Sequence, residues 1–408
     1  MSLANHIDFL KRLKLNSLHG FGDYEHFLRP VPGSPLRETT EFGSNPGSLR
    51  MYSFVPDAPQ KPAALVVVLH GCGQTAAHYD LGAGWSMLAK QYGFALLMPE
   101  QQPGNNAQGC FNWFNPEDTA RDSGEALSIR QMIARIGRDI DIDRQRIFVT
   151  GLSAGGAMTS VMLATYPELF AAGAVIAGLP YGVASNVREA LSGMFQSPAR
   201  PARELGDLVR KASKHHGAWP KVSVWHGSAD RTVNPANADE IVKQWLDVHG
   251  LPAAPMSEGT VDGYPRQLWW NDDGETVVES YTITNMAHGT PLGVADNDEH
   301  YGAQGAFLIE AGISSSYHIA QFFGLTEGVR QATAAATTAE AAPAMAAPAP
   351  PIPAPVLDLS ERLRPLTKLR PSLDGAAPTK PRKPQRRGID VGGVITRALT
   401  AAGLMKED

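Results

Sequence analysis

Short apolar segments alternate with longer amphipathic segments between about residues 50 and 323. Most of the short segments are uniformly apolar and rich in β-branched residues, which is typical of strands buried on both faces of a parallel sheet. We predict strands at 64–69, 94–98, 147–149, 174–176, 222–225 and 277–283. Apolar positions at helical spacing predict helices over 120–136 and 154–165. This alternation predicts an α/β fold, with a mostly parallel central sheet and helices on both faces.

The composition changes sharply after Thr326. Of the 24 residues at 332–355, 12 are Ala and 6 are Pro, and proline at that density blocks helix continuation. We therefore predict four segments: an N-terminal extension at 1–48, an α/β domain at 49–325, an extended Ala/Pro-rich linker at 326–357, and a basic, mostly disordered tail at 358–408. The tail holds 11 Lys and Arg against 6 Asp and Glu.

Charge and apolar run length exclude several classes of partner. The chain carries a net charge of −5, which gives no electrostatic reason to bind nucleic acid. No apolar run approaches the roughly 20 residues that cross a bilayer, so we predict no membrane span. The N-terminal stretch MSLANHIDFLKRLKLNSL is interrupted by charges and does not read as a secretory signal peptide.

Ser153 stands in the only G-x-S-x-G pattern of the chain, Gly151-Leu152-Ser153-Ala154-Gly155. A predicted strand leads into this pattern and a predicted helix leads out of it, which is the setting that a nucleophile elbow requires. Glycines are needed on both sides because the turn is tight, and the helix N-terminus favours developing negative charge. We predict that Ser153 is a nucleophile; the alternative is a structural Gly-Ser turn.

A serine nucleophile needs a base to take its proton and an acid to orient the base, and in this fold they follow in the order Ser, Asp, His. Asp230 lies in a polar loop after the strand at 222–225, and His288 lies in a Gly-containing loop after the strand at 277–283. We predict Asp230 as the acid and His288 as the base. The alternative for Asp230 is a helix cap, and His226 precedes the acid and is the weaker candidate base.

The tetrahedral intermediate of acyl transfer needs backbone N–H donors at its oxyanion. The residue after the nucleophile supplies one donor, and the loop after an earlier strand supplies the other. We therefore predict Ala154 and Cys72 as oxyanion-hole residues that act through their backbones. The chain has two cysteines, which excludes a multi-cysteine zinc site. We favour a disulfide between Cys72 and Cys110, with two reduced thiols as the alternative.

Several sequence segments resemble the catalytic domain of the esterase family that includes poly(3-hydroxybutyrate) depolymerases, whose relatives are feruloyl and acetylxylan esterases. The segments are VVLHGCGQTA, GCFNWF, GLSAGGAM, AGLPYG, HGSADRTV and MAHGTP, and the resemblance spans about residues 49–323. It implies an α/β-hydrolase fold, Ser153, Asp230 and His288 as the catalytic triad, and Cys72 as an oxyanion donor. It favours an extracellular location, although the N-terminus shows no signal peptide and leaves a cytoplasmic location as the alternative.

The resulting expectation is a serine carboxylic-ester hydrolase that uses no metal and no organic cofactor. We expect it to cleave short-chain polyhydroxyalkanoate esters, as polymer or oligomer, through an acyl-enzyme on Ser153. One alternative is a feruloyl- or acetylxylan-type esterase, and another is a non-catalytic binding protein, which the intact triad argues against. Trp113 and Trp269, which lie in predicted loops, and Tyr181, after the strand at 174–176, are expected to contact substrate, with packing in the core as the alternative for the tryptophans.

Overall fold

A computed structural model describes residues 33–326 of the chain. The predicted linker and basic tail lie beyond Thr326, outside the described residues, as does most of the predicted N-terminal extension. None of the helices between Gly33 and Thr326 combines the length and the apolar character needed to cross a bilayer.

The described residues form a ten-stranded sheet with the strand order β1-β2-β4-β3-β5-β6-β7-β10-β9-β8. Its strands are β1 (Arg37–Thr39), β2 (Arg50–Phe54), β3 (Ala63–Leu69), β4 (Ala95–Glu100), β5 (Ile142–Leu152), β6 (Ala172–Ile176), β7 (Lys221–Gly227), β8 (Ser257–Val261), β9 (Tyr264–Trp270) and β10 (Thr276–Ile283). The six central strands, which lie side by side in the order β4-β3-β5-β6-β7-β10, pair in parallel. Antiparallel strands complete both edges. Two short strands, β11 (Thr290–Leu292) and β12 (Leu308–Glu310), pair separately.

Helices cover both faces of the sheet. They are α1 (Ala76–Ala83), α2 (Trp85–Tyr92), α3 (Pro116–Thr119), α4 (Gly124–Asp139), α5 (Ala154–Thr165), α6 (Val187–Gln196), α7 (Ala202–Ala212), α8 (Ala236–His249) and α9 (Ser315–Phe322). One apolar cluster packs α4, α5, α7 and α8 on one face, and a second packs α1, α2 and α9 on the other. The predicted α/β fold with a mostly parallel sheet is therefore confirmed.

Strand β3 illustrates why the strands read as uniformly apolar. Leu65, Val67 and Leu69 belong to the cluster on one face, whereas Val66 and Val68 belong to the cluster on the other. All seven residues of the strand are buried. Since successive side chains of a strand point to opposite faces, a strand covered on both sides must be apolar at every position.

The helix predicted over 120–136 begins later than expected. Residues 120–123 form a turn between α3 and α4, and the helix runs from Gly124 to Asp139. Asp122, within this turn, has a φ angle of +63°, which a helical path does not allow. The spacing of apolar residues cannot reveal the turn at 120–123, because the residues before and after it keep the helical period.

The prediction that Trp269 lies in a loop is wrong. Trp269 is in β9, is 2% exposed, and donates from Nε1 to the Ala254 carbonyl oxygen at 3.0 Å. Strands β8 and β9 form a hairpin at the sheet edge around the turn at Asp262-Gly263. This edge hairpin carries Pro265 and several polar residues, so it lacks the continuous apolar pattern of the central strands.

Candidate active site

Three loops that follow parallel strands meet at the carboxyl edge of the sheet. Ser153 follows β5, Asp230 follows β7 and His288 follows β10. Backbone hydrogen bonds join these loops to neighbouring strands: the Ser153 N–H donates to the Ile176 carbonyl at 2.9 Å, and the Ala229 N–H donates to the Met286 carbonyl at 3.0 Å. Open α/β sheets place their functional groups at this edge.

Ser153 occupies a strained turn between β5 and α5. Its φ and ψ angles are +58° and −117°, and it is 9% exposed. A Cβ on Gly155 would lie 2.3 Å from the Leu69 carbonyl oxygen, and a Cβ on Gly151 would lie 2.5 Å from the Gly155 backbone. Only glycine therefore fits at both positions, as a nucleophile elbow requires.

Asp230 holds His288 by a short hydrogen bond. The Asp230 Oδ2 atom accepts from His288 Nδ1 at 2.6 Å, and Oδ1 accepts from the backbone N–H groups of Thr232 and Val233 at 2.8 and 2.9 Å. Burial alone would raise the pKa of Asp230, but hydrogen bonds from His226 and His288 outweigh it and hold that pKa well below its ordinary value. Since Nδ1 of His288 donates to a carboxylate, the neutral ring carries its lone pair on Nε2.

The alternative role predicted for Asp230, that of a helix cap, belongs to Asn234. The Asn234 Oδ1 atom accepts from the Ala236 N–H at 3.0 Å, at the first residue of α8. The Asp230 carboxylate is thus free of the helix end and is directed at the two histidines.

The loop after β3 packs against the N-terminus of α5. A Cβ on Gly155 would also lie 2.5 Å from the His70 carbonyl oxygen, which shows how closely the two segments approach. Within residues 33–326, the backbone N–H groups of Cys72 and Ala154 donate to no other protein group. Two free donors in adjacent segments are what an oxyanion hole needs.

A disulfide joins Cys72 to Cys110 across a sequence separation of 38 residues. The Gly73 N–H also donates to the Gln108 carbonyl at 2.9 Å, so the two loops are linked twice. The backbone of Cys72 is therefore held by the neighbouring loop that carries Cys110.

Replacing both cysteines by serine should lower the free energy of unfolding by about 3–4 kcal/mol, since the bond closes a long loop in the unfolded chain. It should also lower kcat on a soluble ester, because the Cys72 N–H loses one of its supports. Urea unfolding and initial rates measure the two effects, and wild type treated with dithiothreitol should match the variant. An unchanged urea midpoint in the variant would contradict this expectation.

Sequence reasoning missed a buried carboxylate beneath the Cys110 loop. Glu125 is fully buried in α4, and its Oε1 atom accepts from the side-chain amides of Gln101, Asn105 and Asn112 at 2.6, 3.2 and 2.8 Å. Burial raises the pKa of Glu125 to about 8, although hydrogen bonds from Asn112 and Gln101 oppose the shift. A glutamate on the apolar face of a predicted helix is the signal that points to such a network.

The network reaches the loop after β3 through His70. The Gln101 N–H donates to His70 Nε2 at 3.1 Å, and His70 Nδ1 donates to the Gly71 carbonyl at 2.8 Å. Burial lowers the pKa of His70 to about 4, so the ring is neutral near pH 7. The network under Glu125 and the loop of Cys72 are thus connected.

The three residues predicted to contact substrate lie in different parts of the structure. Trp113 is 8% exposed in the loop after Cys110, and its ring lies edge-on to Phe114 at 5.6 Å. Tyr181 is half-buried after β6, where its N–H donates to Gln244 Oε1 at 2.9 Å. Trp269 is not brought to the site, since it pairs with Val278 near the amino end of β10.

Phe307 is an aromatic residue that sequence reasoning did not identify. Its ring centroid lies 5.8 Å from that of His288, and the Thr290 N–H donates to its carbonyl oxygen at 2.8 Å. The preceding residue, Ala306, accepts from Gln74 Nε2 at 3.1 Å. The 306–307 segment therefore bridges the base and the loop of Cys72.

Within residues 33–326, one group of side chains offers ligand atoms for a metal ion. It consists of Asp262, Asp296 and His318, whose ligand atoms lie within 4.8 Å of one another. Its hydrogen bonds run among its own members and Gln321 rather than to Asp230 or His288. The group is therefore distinct from the candidate active site.

Comparison with known proteins identifies the family. The sequence model of the family described as Esterase PHB depolymerase matches residues 49–260. The chain belongs to this family of esterases. Poly(3-hydroxyalkanoate) depolymerase C of Paucimonas lemoignei is 45% identical to this chain over 291 residues, which are 71% of this chain and 70% of that protein.

Carbohydrate esterases are similar to the same region. Acetylxylan esterase of Coprinopsis cinerea is 34% identical over 64% of this chain and 71% of that protein. The solved structure of acetyl xylan esterase from Aspergillus awamori superposes with a TM-score of 0.61 at 25% identity, covering 71% of this chain and 99% of that one. The resemblance seen in the sequence is confirmed, and the chain is a carboxylic ester hydrolase of the α/β-hydrolase fold.

Proposed function

We propose that this esterase hydrolyses short-chain poly(3-hydroxyalkanoate) esters, as polymer or oligomer, with Ser153 as nucleophile. The substrate class is supported by the 45% identity to a poly(3-hydroxyalkanoate) depolymerase over most of both chains. The observation that carries the mechanism is the 2.6 Å hydrogen bond between Asp230 and His288, at the sheet edge where Ser153 occupies its elbow.

In the first half-reaction, Ser153 Oγ attacks the ester carbonyl carbon while His288 Nε2 takes the Oγ proton. The carbonyl oxygen becomes an oxyanion, to which the N–H groups of Cys72 and Ala154 donate. Collapse of the tetrahedral intermediate breaks the ester C–O bond, and the leaving alkoxide takes the proton from His288. The acyl group stays on Ser153, and the product is a free alcohol end.

In the second half-reaction, water replaces the alcohol. His288 takes a proton from the water as its oxygen attacks the acyl carbon, and the same two N–H groups stabilise the second oxyanion. Collapse returns the proton to Ser153 Oγ and releases the carboxylic acid. Asp230 keeps the His288 ring in one tautomer and stabilises its positive charge in both steps.

Trp113 and Tyr181 are proposed as substrate contacts, because both follow segments next to the triad. Trp113 lies three residues after Cys110, and the Tyr181 segment follows β6, the strand beside the elbow strand. Apolar and aromatic surface of this kind suits the aliphatic acyl units of a polyester. Phe307, beside His288, adds a third aromatic side chain.

A second candidate function is de-esterification of plant polysaccharide. It is supported by the 34% identity to acetylxylan esterase and by the superposition on acetyl xylan esterase. The same triad would serve this reaction, since only the acyl and alcohol parts of the substrate differ.

Product release separates the two candidates. The purified protein is incubated with amorphous poly(3-hydroxybutyrate), with acetylated xylan and with methyl ferulate, and the Ser153→Ala variant serves as the blank. We expect hydroxybutyrate monomers or oligomers with wild type alone. Release of acetate or ferulate with the polyester untouched would overturn the polyester proposal and leave the esterase mechanism in place.

A further inference from the structure

Asp230 contacts a second histidine besides His288. His226, the sixth residue of β7, places Nε2 3.1 Å from Asp230 Oδ2. This is the same carboxylate oxygen that accepts from His288 Nδ1. The His226 side chain is 3% exposed, so the contact is shielded from water. One buried carboxylate oxygen therefore lies between two imidazole rings.

The surroundings of His226 determine where its proton lies. Its Nε2 atom is also 3.0 Å from the Val233 carbonyl oxygen, so both neighbours of Nε2 are acceptors. Nε2 must then carry the hydrogen of the neutral ring. Within residues 33–326, the buried Nδ1 atom has no hydrogen-bond partner. His226 is therefore a fixed donor to the carboxylate, and it does not act as the base.

The two oxygens of Asp230 are held by different parts of the protein. Two backbone N–H groups bind Oδ1, from Thr232 and Val233 in the turn that Asp230 itself begins. His226 binds Oδ2 from the end of a central strand. Without it, only the ring of His288 would hold Oδ2 in place. Because the ring of His288 takes its orientation from Oδ2, a shift of that oxygen would move the base.

We propose that His226 is a positioning residue for ester hydrolysis, which fixes Asp230 Oδ2 so that His288 presents its Nε2 to Ser153. This proposal rests on the proposed function, in which Asp230 and His288 belong to the triad. His226 does not contact the reacting atoms, and its effect is transmitted entirely through the Asp230 carboxylate.

Two amide substitutions test the role of the Nε2 donor. The side-chain nitrogen of Gln reaches the position of Nε2, whereas that of Asn reaches only the position of Nδ1. We expect His226→Asn to lower kcat on p-nitrophenyl butyrate by about tenfold or more with KM nearly unchanged, since a hydrogen bond to a charged group is lost. We expect His226→Gln to retain most of the wild-type kcat.

A double-substitution cycle shows whether His226 acts through Asp230. In the Asp230→Ala background, His226→Asn should cause no further loss of kcat, because the carboxylate that it positions is gone. A general structural role would instead lower kcat by the same factor in both backgrounds. Circular dichroism and thermal unfolding report how much of each variant is folded.

His318 supplies a matched control. It is also buried and also pairs with an aspartate, since its Nε2 lies 2.9 Å from Asp262 Oδ2. It belongs to α9, outside the proposed triad, so His318→Asn should leave kcat unchanged.

The proposal is overturned if His226→Asn keeps the wild-type kcat, if His226→Gln is as impaired as His226→Asn, or if the loss persists in the Asp230→Ala background. A failure of the proposed function gives a different result, because Asp230→Ala alone would then leave kcat unaffected.

Discussion

Replacing Ser153 by alanine should lower kcat by about four to six orders of magnitude while the protein stays folded. The hydroxyl is the atom that forms the acyl-enzyme, and no neighbouring group can take its place at the elbow. The fold should tolerate the change because alanine is smaller than serine, and the Ser153 backbone N–H that donates to Ile176 is kept. Hydrolysis of p-nitrophenyl butyrate measures the rate, and thermal unfolding checks the fold.

Ser257→Ala is the control for this experiment, since Ser257 is an exposed residue at the start of β8. We expect that variant to match wild type. The stoichiometry of fluorophosphonate labelling gives an independent readout, with one label per wild-type chain and none on Ser153→Ala. Normal turnover by Ser153→Ala would remove the nucleophile from the proposed mechanism.

Replacing Asp230 by asparagine should lower kcat by about 10⁴-fold, the size of effect that follows when the catalytic histidine is set in the wrong tautomer. The asparagine side chain is nearly isosteric with that of aspartate, but an NH₂ group replaces one of the two carboxylate oxygens of Asp230. If that group faces the histidines, His288 must turn a lone pair on Nδ1 toward it and carry its hydrogen on Nε2. That ring can no longer accept the Ser153 proton.

The same substitution leaves the turn intact if the remaining oxygen occupies the Oδ1 position. There it still accepts from the N–H groups of Thr232 and Val233, so the melting temperature should change far less than kcat. Asp239→Asn, an exposed position in α8, is the control and should retain full activity. An Asp230→Asn variant with near wild-type kcat would mean that another carboxylate serves as the acid.

The elements that sequence predicted well are those with a local cause. Strand β3 is apolar at every position because both of its faces are covered, and that pattern is visible without knowing what covers it. The setting of Ser153 is also local, since the incoming strand, the flanking glycines and the outgoing helix are contiguous in the chain. Ser153, Asp230 and His288 could be proposed because each follows a recognisable strand.

Features that join distant segments needed the tertiary structure. His226 was considered only as a competing base, and its contact with Asp230 Oδ2 depends on how the turn after β7 folds back on the strand end. The amides that surround Glu125 come from a separate loop, at Gln101, Asn105 and Asn112. Trp269 looked like a loop aromatic because its edge strand has no continuous apolar pattern.

The sequence by itself therefore determined the fold class, the order of the six parallel strands along the chain and the candidate nucleophile, acid and base. These depend on the periodicity of apolar residues and on short motifs, both of which are properties of contiguous segments. Only the tertiary structure decided that Asp230 lies between two histidines, that Trp269 is buried away from the site, and that Phe307 lies beside His288. Those contacts depend on sheet register and loop path, which arise from packing among residues far apart in the chain.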